Sequence, residues 1–385
     1  MWHHNIVFSL DICPSPSQRE ERGLNSRVKG KEANLFLNKR LKEILKGALF
    51  FGIYYSGALH LLILILTKFR KKHYAAILFY HRFSSDSSND YGLPHLDVHE
   101  FKKQMRHIKR WYSVVTMDEL ANRVTKGNPF TSPSVVITID DGYLNNYTLA
   151  YPVLRELDLP AIIYLTTGFI GTNKAPWVDC LINILSVTKA KTLCFPDLLG
   201  GEVLDISTQR GERAAITKIF QVMVRLEHKE KTLAMEKLSE ILSVKEIWGD
   251  DNERKMLNWN EVMEMSRNKI SFGAHTVSHP TLSRMELPEA KQEIYESKME
   301  IEARIGCKVR HFAIPNGKIE DFNEELKRYC EEIGVKTVVS TEPGVISAQS
   351  DPYLLQRICP STPIYLSACE LARYMFLGKR TVNTE

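Results

Sequence analysis

Residues 134–143, Ser-Val-Val-Ile-Thr-Ile-Asp-Asp-Gly-Tyr, form an apolar run that ends in two adjacent carboxylates and a glycine. The β-branched residues predict a strand that is buried on both faces of a mostly parallel sheet. Gly142 permits a sharp turn that exposes Asp140 and Asp141 at the carboxyl end of this strand. Parallel α/β folds keep their chemistry at that end, so the stretch predicts an α/β fold and the position of its site.

A second stretch, Phe-Gly-Ala-His-Thr-Val-Ser-His-Pro at residues 272–280, carries two histidines four positions apart. On a helical turn that spacing places both imidazoles on one face, close enough to hold one divalent ion. One Asp oxygen together with His275 and His279 would leave coordination positions open for water, which is the catalytic rather than the structural arrangement. The neighbouring carboxylate would then take a proton from that water.

Each motif also has an ordinary structural explanation. Asp-Asp-Gly is common turn chemistry, and histidines often only satisfy a polar contact or face solvent. Their joint occurrence, with the acids at the end of an apolar strand, favours a catalytic site. His95 and His99 repeat the four-residue spacing, but their segment continues directly into an amphipathic helix at residues 100–105. We therefore reject them as the metal pair.

Three motifs resemble those of the NodB-homology polysaccharide deacetylases, carbohydrate esterase family four. Thr-Ile-Asp-Asp-Gly at 138–142 resembles the family's Thr-Phe-Asp-Asp-Gly, and residues 275–280 resemble its His-Ser/Thr-x-x-His-Pro. Phe-Ala-Ile-Pro-Asn-Gly at 312–317 resembles its Phe-x-x-Pro-x-Gly groove motif. The motifs occur in the family's order, and the resemblance covers roughly residues 77–360, which makes it more specific than any single short motif.

The resemblance implies a fold and a reaction. The fold is a distorted, incomplete (β/α) barrel, and the reaction is hydrolytic removal of N- or O-acetyl groups from sugars. Asp140 would be the general base, while Asp141, His275 and His279 would hold the metal. Zinc fits this mixed nitrogen and oxygen ligand set, although cobalt, nickel or iron can occupy the same ligands.

The groove motif departs from the family's pattern. Many members carry there an Arg that orients the catalytic base, but this chain has Ala313. Arg310 or Arg357 could substitute from nearby segments, and nothing in the sequence decides between them. Pro315 and Asn316, with Arg357, are predicted to bind substrate.

The general acid is also absent from its usual place. Many members have this histidine near the carboxyl end of the domain, whereas the last histidine here is His311. The apolar run at 75–80 ends in His81 and predicts a first barrel strand that presents His81 at the same rim as Asp140. A circularly permuted subset of the family carries its acid on such a strand, so we predict His81 as the general acid. A strand-end histidine that merely caps a loop is the alternative.

These assignments predict a metal-dependent amide hydrolysis. Asp140 removes a proton from water, the metal and the backbone N–H of Tyr143 stabilise the oxyanion, and His81 protonates the departing amine. The expected substrate is an acetylated polysaccharide or a lipid-linked sugar. Two other interpretations stay open: a hydrolase of the same fold that acts on a formylated sugar or another amide, and an inactive carbohydrate-binding relative. The intact acids and histidines count against the second of these.

Residues 47–67 are the most hydrophobic part of the chain and contain no Asp, Glu, Lys or Arg. A bilayer span needs about 20 apolar residues, so the block predicts either a membrane-embedded helix or a helix docked on the barrel wall. The net charge of +5 is concentrated before this block, which favours an anionic membrane surface over nucleic acid. We therefore predict a membrane-associated protein of the cell envelope. Basic residues on both flanks balance, so they predict no orientation.

The chain divides into four predicted parts. Residues 1–34 are predicted to be a disordered basic segment, 35–72 a hydrophobic helix, 73–360 the catalytic domain, and 361–385 a C-terminal helix and tail. From about 171 to 255 the alternation of strands and helices stops, and this length predicts an inserted helical cap beside the site. Trp177 and Phe195 in the cap could stack on sugar rings, although core packing is the commoner use of either one.

Overall fold

The computed structural model describes residues 26–70, 72–85, 95–244 and 255–377, with side chains from residue 41 onward except at 228. Its strands are β1 (Ala75–Tyr80), β2 (Arg82–Ser84), β3 (His95–Asp97), β4 (Ser113–Val114), β5 (Ser134–Ile139), β6 (Ala161–Leu165), β7 (Thr192–Cys194), β8 (Val203–Asp205), β9 (Ile270–Ala274), β10 (His311–Ala313) and β11 (Thr337–Val339). Its helices are α1 (Ser26–Tyr55), α2 (Ala58–Phe69), α3 (Val98–Trp111), α4 (Met117–Thr125), α5 (Tyr151–Glu156), α6 (Trp177–Val187), α7 (Pro196–Leu199), α8 (Gln209–Met223), α9 (His228–Ile241), α10 (Trp259–Ser266), α11 (Leu287–Ile305), α12 (Glu324–Glu332) and α13 (Ile364–Leu377).

A seven-stranded parallel sheet forms the centre of the fold, in the order β1-β5-β6-β9-β10-β11, with β4 also paired to β5. β1 and β5 pair along their whole length, from Ala75 opposite Ser134 to Tyr80 opposite Ile139. All six residues of β5 are buried. The strand predicted from the β-branched run is therefore confirmed, and its carboxyl end lies beside that of β1.

The sheet curls because an extended segment near the end of the chain joins its two edges. Leu355 forms a parallel bridge with Val339 of β11, and Ile358 forms one with Leu78 of β1. The N–H of Ile358 donates to the Ile77 carbonyl at 2.8 Å. These are isolated bridges rather than a continuous strand, so the closure is incomplete. The prediction of a distorted, incomplete (β/α) barrel is confirmed.

Side chains alternate across each strand and divide the apolar core into two layers. Ile77, Val136 and Ile162 belong to one cluster with Val339 and Leu355, packed inside the curled sheet. The alternate positions of the same strands face the surrounding helices in a second cluster, which includes Leu78, Ile137, Ile163, Met105, Ile294 and Leu326. Packing on both faces explains why these strands are continuous apolar runs.

The insertion at about 171–255 has an apolar core of its own. It contains the antiparallel hairpin β7–β8 as well as α6, α8 and α9. Leu181, Ile219 and Leu238 are buried in this separate cluster. Phe195 is buried there too, so it does not face a sugar, whereas Trp177 packs at the edge of the cluster. The insertion therefore holds its shape largely through its own packing.

The hydrophobic N-terminal block forms two helices rather than one. α1 and α2 meet at Gly57, whose φ is 80°, and their axes differ by 71°. Among the described residues no single helix is long and apolar enough to cross a membrane. Residues 41–55 and α2 together reach the necessary length and apolar composition, but only as a bent pair. A straight helix through 47–67 is thus wrong, because the chain adopts a left-handed conformation at Gly57.

The helix pair packs on α13. Lys46 Nζ lies 3.1 Å from Glu370 Oε1, and the Phe51 and Tyr365 rings meet edge to face with centroids 5.4 Å apart. α1 begins at Ser26, so it includes residues 26–34 of the segment predicted to be disordered. These residues contain no proline and several good helix formers, which lets the helix extend toward the N-terminus. The predicted disorder of residues 1–25 lies outside the described residues.

Candidate active site

β1 and β5 bring His81 and the two acids to one rim of the barrel. The N–H of Asp140 donates to the Tyr80 carbonyl at 2.9 Å. Asp141 and Gly142 both have positive φ, 75° and 87°, and this turns the chain away from β5. A Cβ at Gly142 would lie 2.8 Å from Leu165 Cδ2, so a side chain there would clash as well as strain the backbone. The turn predicted for this glycine is present.

Asp141, His275 and His279 form a compact cluster of potential metal ligands. Each imidazole Nε2 lies 3.5 Å from Asp141 Oδ1. This oxygen is buried and has no hydrogen-bond partner among the described residues. Nδ1 of His275 lies 2.8 Å from the Ala313 carbonyl, so it carries the proton and leaves the Nε2 lone pair free toward Asp141. An unpartnered buried carboxylate oxygen with two converging imidazoles fits a divalent cation.

The histidine pair lies on an irregular turn and not on the predicted helical turn. Thr276 and His279 have φ of 66° and 57°, and the N–H of His279 donates to Thr276 Oγ1 at 3.0 Å. Glu293 of α11 accepts from the two backbone N–H groups between them, at 2.8 and 2.9 Å. The imidazole centroids are 4.8 Å apart. Glu293 therefore supports the turn, and no motif in the sequence points to this role.

Arg357 holds Asp140 through both carboxylate oxygens, at 2.7 Å from Nη1 to Oδ1 and 2.8 Å from Nη2 to Oδ2. Its Nε donates to the Ser340 carbonyl at 2.8 Å, and its guanidinium lies 4.7 Å from the Phe79 ring centroid. Arg357 is 0% exposed. The prediction that it binds substrate is therefore wrong, because the closing segment directs it into the barrel. It makes instead the contact with Asp140 that the sequence analysis expected of either Arg310 or Arg357.

The other candidate arginine is not in the site. Arg310 is partly exposed and lies 3.9 Å from Asp118 on the outside of the barrel. Burial is the largest single influence and raises the pKa of Asp140, but the Arg357 guanidinium together with His275 and His81 outweighs burial and holds that pKa below its usual range. Asp140 is therefore an ionised carboxylate at neutral pH, as a general base must be.

His81 lies at the rim as predicted. Its Nε2 is 3.8 Å from Asp140 Oδ2, which is too long for a hydrogen bond but within reach of a shared substrate. Its side chain is 16% exposed and lines the cleft. Burial lowers the pKa of His81 from its usual value, and the two nearby carboxylates offset only part of that effect.

Tyr143 connects the acid turn to the insertion. Its hydroxyl donates to Asp179 Oδ2 at 2.7 Å, and Arg82 Nη1 donates to Asp179 Oδ1 at 2.9 Å. Within the described residues no protein group accepts a hydrogen bond from the backbone N–H of Tyr143. The predicted contact of that N–H with an oxyanion stays a prediction. Arg82 and Asp179 were not predicted, because their contact joins β2 to the insertion.

These groups lie in a cleft of about 560 Å³ between the barrel rim and the insertion. Asn316 is exposed at the rim and donates to Thr281 Oγ1 at 3.0 Å. Pro315 is buried and does not line the cleft in the described part of the chain. The prediction of a substrate contact for Pro315 is wrong, because the backbone turns outward only at Asn316 and Gly317, where φ is 61° and 74°.

A curled parallel sheet with an arginine-held carboxylate beside an Asp-His-His cluster defines an α/β enzyme with a candidate metal-dependent hydrolytic site. The family model described as polysaccharide deacetylase matches residues 127–338, more than half of the 385 residues. The chain therefore belongs to the polysaccharide deacetylase family. This agrees with the resemblance found in the three motifs.

Individual relatives are distant in sequence. The putative polysaccharide deacetylase YxkH of Bacillus subtilis (strain 168) is 22% identical over 283 residues, which cover 73% of this chain and 70% of that protein. The Streptococcus pyogenes deacetylase PplD superposes with a TM-score of 0.51 at 19% identity, covering 78% of this chain and 98% of PplD. IcaB from Ammonifex degensii gives 0.52 at 16% identity, with 78% and 97% covered. These two structures confirm the fold.

Proposed function

We propose that this chain removes acetyl groups, in the first place N-acetyl groups, from a polysaccharide or a lipid-linked sugar of cell-envelope or exopolysaccharide biosynthesis. The observation that carries the proposal is the Arg357–Asp140 pair beside the cluster of Asp141, His275 and His279. This arrangement supplies a fixed general base next to a candidate metal site. The similar PplD structure contains acetate, which is the product that the proposed reaction requires.

The residues of the site have distinct proposed roles. Asp140 takes a proton from the attacking water, using lone pairs that its bonds to Arg357 leave available. The backbone N–H of Tyr143 donates to the oxyanion that forms on the acetyl carbonyl. His81 protonates the departing amine. A divalent cation held by the Asp-His-His cluster, most simply zinc and alternatively cobalt, nickel or iron, would supply Lewis-acid polarisation and lower the pKa of water.

Arg357 argues against the inactive, carbohydrate-binding interpretation. Ala313 taken alone favours that interpretation, because it removes the family's usual arginine. A buried arginine from another segment makes the same contact, with both nitrogens at hydrogen-bond distance from Asp140. A buried arginine that holds this carboxylate through both oxygens supports a working base rather than a simple sugar-binding surface.

Acetate release by the full-length protein tests the proposal. Acetylated sugar polymers and formylated sugars would be offered before chelation, after chelation, and after return of zinc. We expect acetate release that chelation abolishes and zinc restores, with Asp140→Asn as an inactive variant that still binds metal. Formate release in place of acetate would establish the deformylase alternative. Sugar binding without metal or hydrolysis would establish the inactive relative.

We further propose that the helix pair α1–α2 associates with a membrane and that the protein does not bind nucleic acid. Large apolar side chains on these helices are exposed, and helices of this kind bind the membrane interface. They are Leu41, Ile44, Leu45, Leu49, Phe51, Tyr55, Leu61, Leu62, Leu64, Ile65 and Phe69. The basic residues that flank the block favour anionic lipids.

Co-sedimentation with vesicles tests the membrane proposal. The full chain is expected to pellet with vesicles of phosphatidylglycerol and phosphatidylethanolamine, and the variant Leu61→Gln/Leu64→Gln is expected to stay in solution to a larger extent. Leu233→Gln is the matched control, because Leu233 is equally exposed but lies on the insertion. Equal pelleting of both variants would remove α2 from membrane binding.

A further inference from the structure

Lys231 of α9 is a buried lysine in the wall of the cleft. It is 7% exposed and lines the same cleft as the catalytic groups. Its Nζ lies 6.0 Å from the Trp177 ring centroid, and Trp177 stacks on Phe220 with centroids 5.4 Å apart. The Trp177 ring, itself packed on Phe220, thus holds the ammonium group at the wall through a cation–π contact.

No carboxylate pairs with this ammonium group. Within the part of the chain that the structure describes, Lys231 makes no ion pair, and its hydrogen bond goes to Thr281 Oγ1 at 3.4 Å. Buried charges are normally paired, because leaving water costs an isolated ion several kcal/mol. Asp321 also lines the cleft but accepts from Ser283 Oγ at 2.6 Å, and Glu320 pairs with Lys318.

The hydroxyl of Thr281 adds a hydrogen-bond donor at the same place. Its Oγ1 accepts from Lys231 Nζ and also from Asn316 Nδ2 at 3.0 Å. Because both neighbours donate, the hydroxyl hydrogen points to neither of them, and in the described residues it has no acceptor. Thr281 follows His279 by two positions, so this donor lies close to the candidate metal cluster.

Two further cations border this position. Arg225 and Arg284 both line the cleft, and Arg284 Nη1 donates to the Arg225 carbonyl at 2.9 Å. That bond joins the turn after α8 to the turn that follows the histidine pair. The insertion contributes two cations to the cleft, of which Lys231 is buried and Arg225 is exposed, while its buried acid Asp179 is already paired with Arg82.

We propose that Lys231 and the Thr281 hydroxyl, bordered by Arg225 and Arg284, form a subsite for an anionic group on the sugar substrate, a carboxylate or a phosphate. An oxyanion there would accept from the ammonium group and from the hydroxyl together, which satisfies both unmatched donors. The subsite makes the enzyme selective for acidic acetylated sugars. The inference rests on the proposed function for the identity of the substrate as a sugar.

Kinetics on matched substrates test the subsite. Acetylated oligosaccharides of equal length would be compared in neutral, uronate-containing and phosphate-containing forms. Lys231→Met keeps the aliphatic stem against Trp177 and removes the charge. Loss of a hydrogen bond to a charged group predicts a KM about 10- to 100-fold higher for the acidic substrate and unchanged for the neutral one. The acidic form that the wild type prefers identifies the carboxylate or the phosphate as the ligand.

Lys229→Met is the matched control, because Lys229 lies on the same helix, is exposed and pairs with Glu289. It should leave both KM values unchanged, and Lys231→Arg should restore part of the preference. A KM that rises equally for neutral and acidic substrates in Lys231→Met would assign the lysine to packing and overturn the subsite.

Direct binding separates this inference from the proposed function. Inorganic phosphate and glucuronate would be titrated calorimetrically into the wild type and Lys231→Met at constant ionic strength. Binding that disappears in the variant supports the subsite even if no sugar is deacetylated. Acetate release from neutral sugars with no anion binding by the wild type would support the deacetylase and refute the subsite.

The pH dependence gives an independent readout. Burial, and then the neighbouring Arg284, lower the pKa of Lys231 to about 8, whereas Asp321 acts in the opposite direction. An anion binds the protonated form, so KM for the acidic substrate should rise as the pH increases through about 8, and the rise should be absent in Lys231→Met. A parallel rise in both proteins would contradict the assignment.

Discussion

Replacing Arg357 tests how this fold supplies a general base. The substitution Arg357→Met keeps a long side chain within the barrel but removes the charge. Asp140 is then a buried carboxylate without its two bonds of 2.7 and 2.8 Å. The Ser340 carbonyl loses its donor as well. We expect lower stability and nearly complete loss of turnover from this single change.

The expected magnitudes follow from these contacts. Removing one partner of a buried ion pair costs about 3–5 kcal/mol of unfolding free energy, because the other charge stays buried without compensation. Asp140→Asn/Arg357→Met should cost less than the sum of its two single variants, since the double change removes both charges. Turnover should fall by about 10²- to 10⁴-fold, the usual contribution of a positioned acid or base.

Urea denaturation and acetate release measure the two effects, with bound metal determined in parallel. Arg310→Met is the matched control. Arg310 is the other arginine that the sequence offered as a partner for Asp140, but it pairs outside the barrel. It should change the unfolding free energy by less than about 1 kcal/mol, as expected for a surface pair. The reasoning is refuted if Arg357→Met is as stable and as active as Arg310→Met.

Three further predictions concern the same rim. Asp141→Ala should lose metal and activity together, while Asp140→Asn should keep metal and lose activity; retained activity in the second variant would remove Asp140 as the base. His81→Gln should lower kcat by about 10²- to 10⁴-fold at unchanged metal content, and normal turnover would exclude His81 as the acid. Gly142→Ala should lower the urea midpoint more than Gly127→Ala, because both have positive φ but only Gly142 is crowded; equal midpoints would contradict the crowding.

The sequence was most informative where a chemical group directly follows a strand. The run of β5 leads into Asp140 and Asp141, and the run of β1 leads into His81, so each rim group could be placed from its own neighbours. The turn that carries the histidines was predicted with the wrong geometry. Its two positive φ values and its bonds to Glu293 depend on a helix that begins several residues later in the chain.

Arg357 marks the limit of what the sequence predicts about the surroundings of Asp140. It lies 217 positions from Asp140, and sequence spacing carries no distance information over such a separation. Arg310 is much nearer to the groove motif, yet it faces the outside of the barrel. Only the closing segment, bridged to both edges of the sheet at Leu355 and Ile358, determines which arginine enters the interior.

By itself the sequence determined the family, the buried strands, the candidate metal ligands and the rim histidine, because each rests on local patterns of residues. The tertiary structure alone decided that Arg357 holds Asp140, that Asp179 joins the insertion to Tyr143, and that Lys231 borders the cleft. The physical reason is that these contacts join segments which the curled sheet and the insertion bring together. Their energies depend on distance and burial, and both quantities exist only in the folded chain.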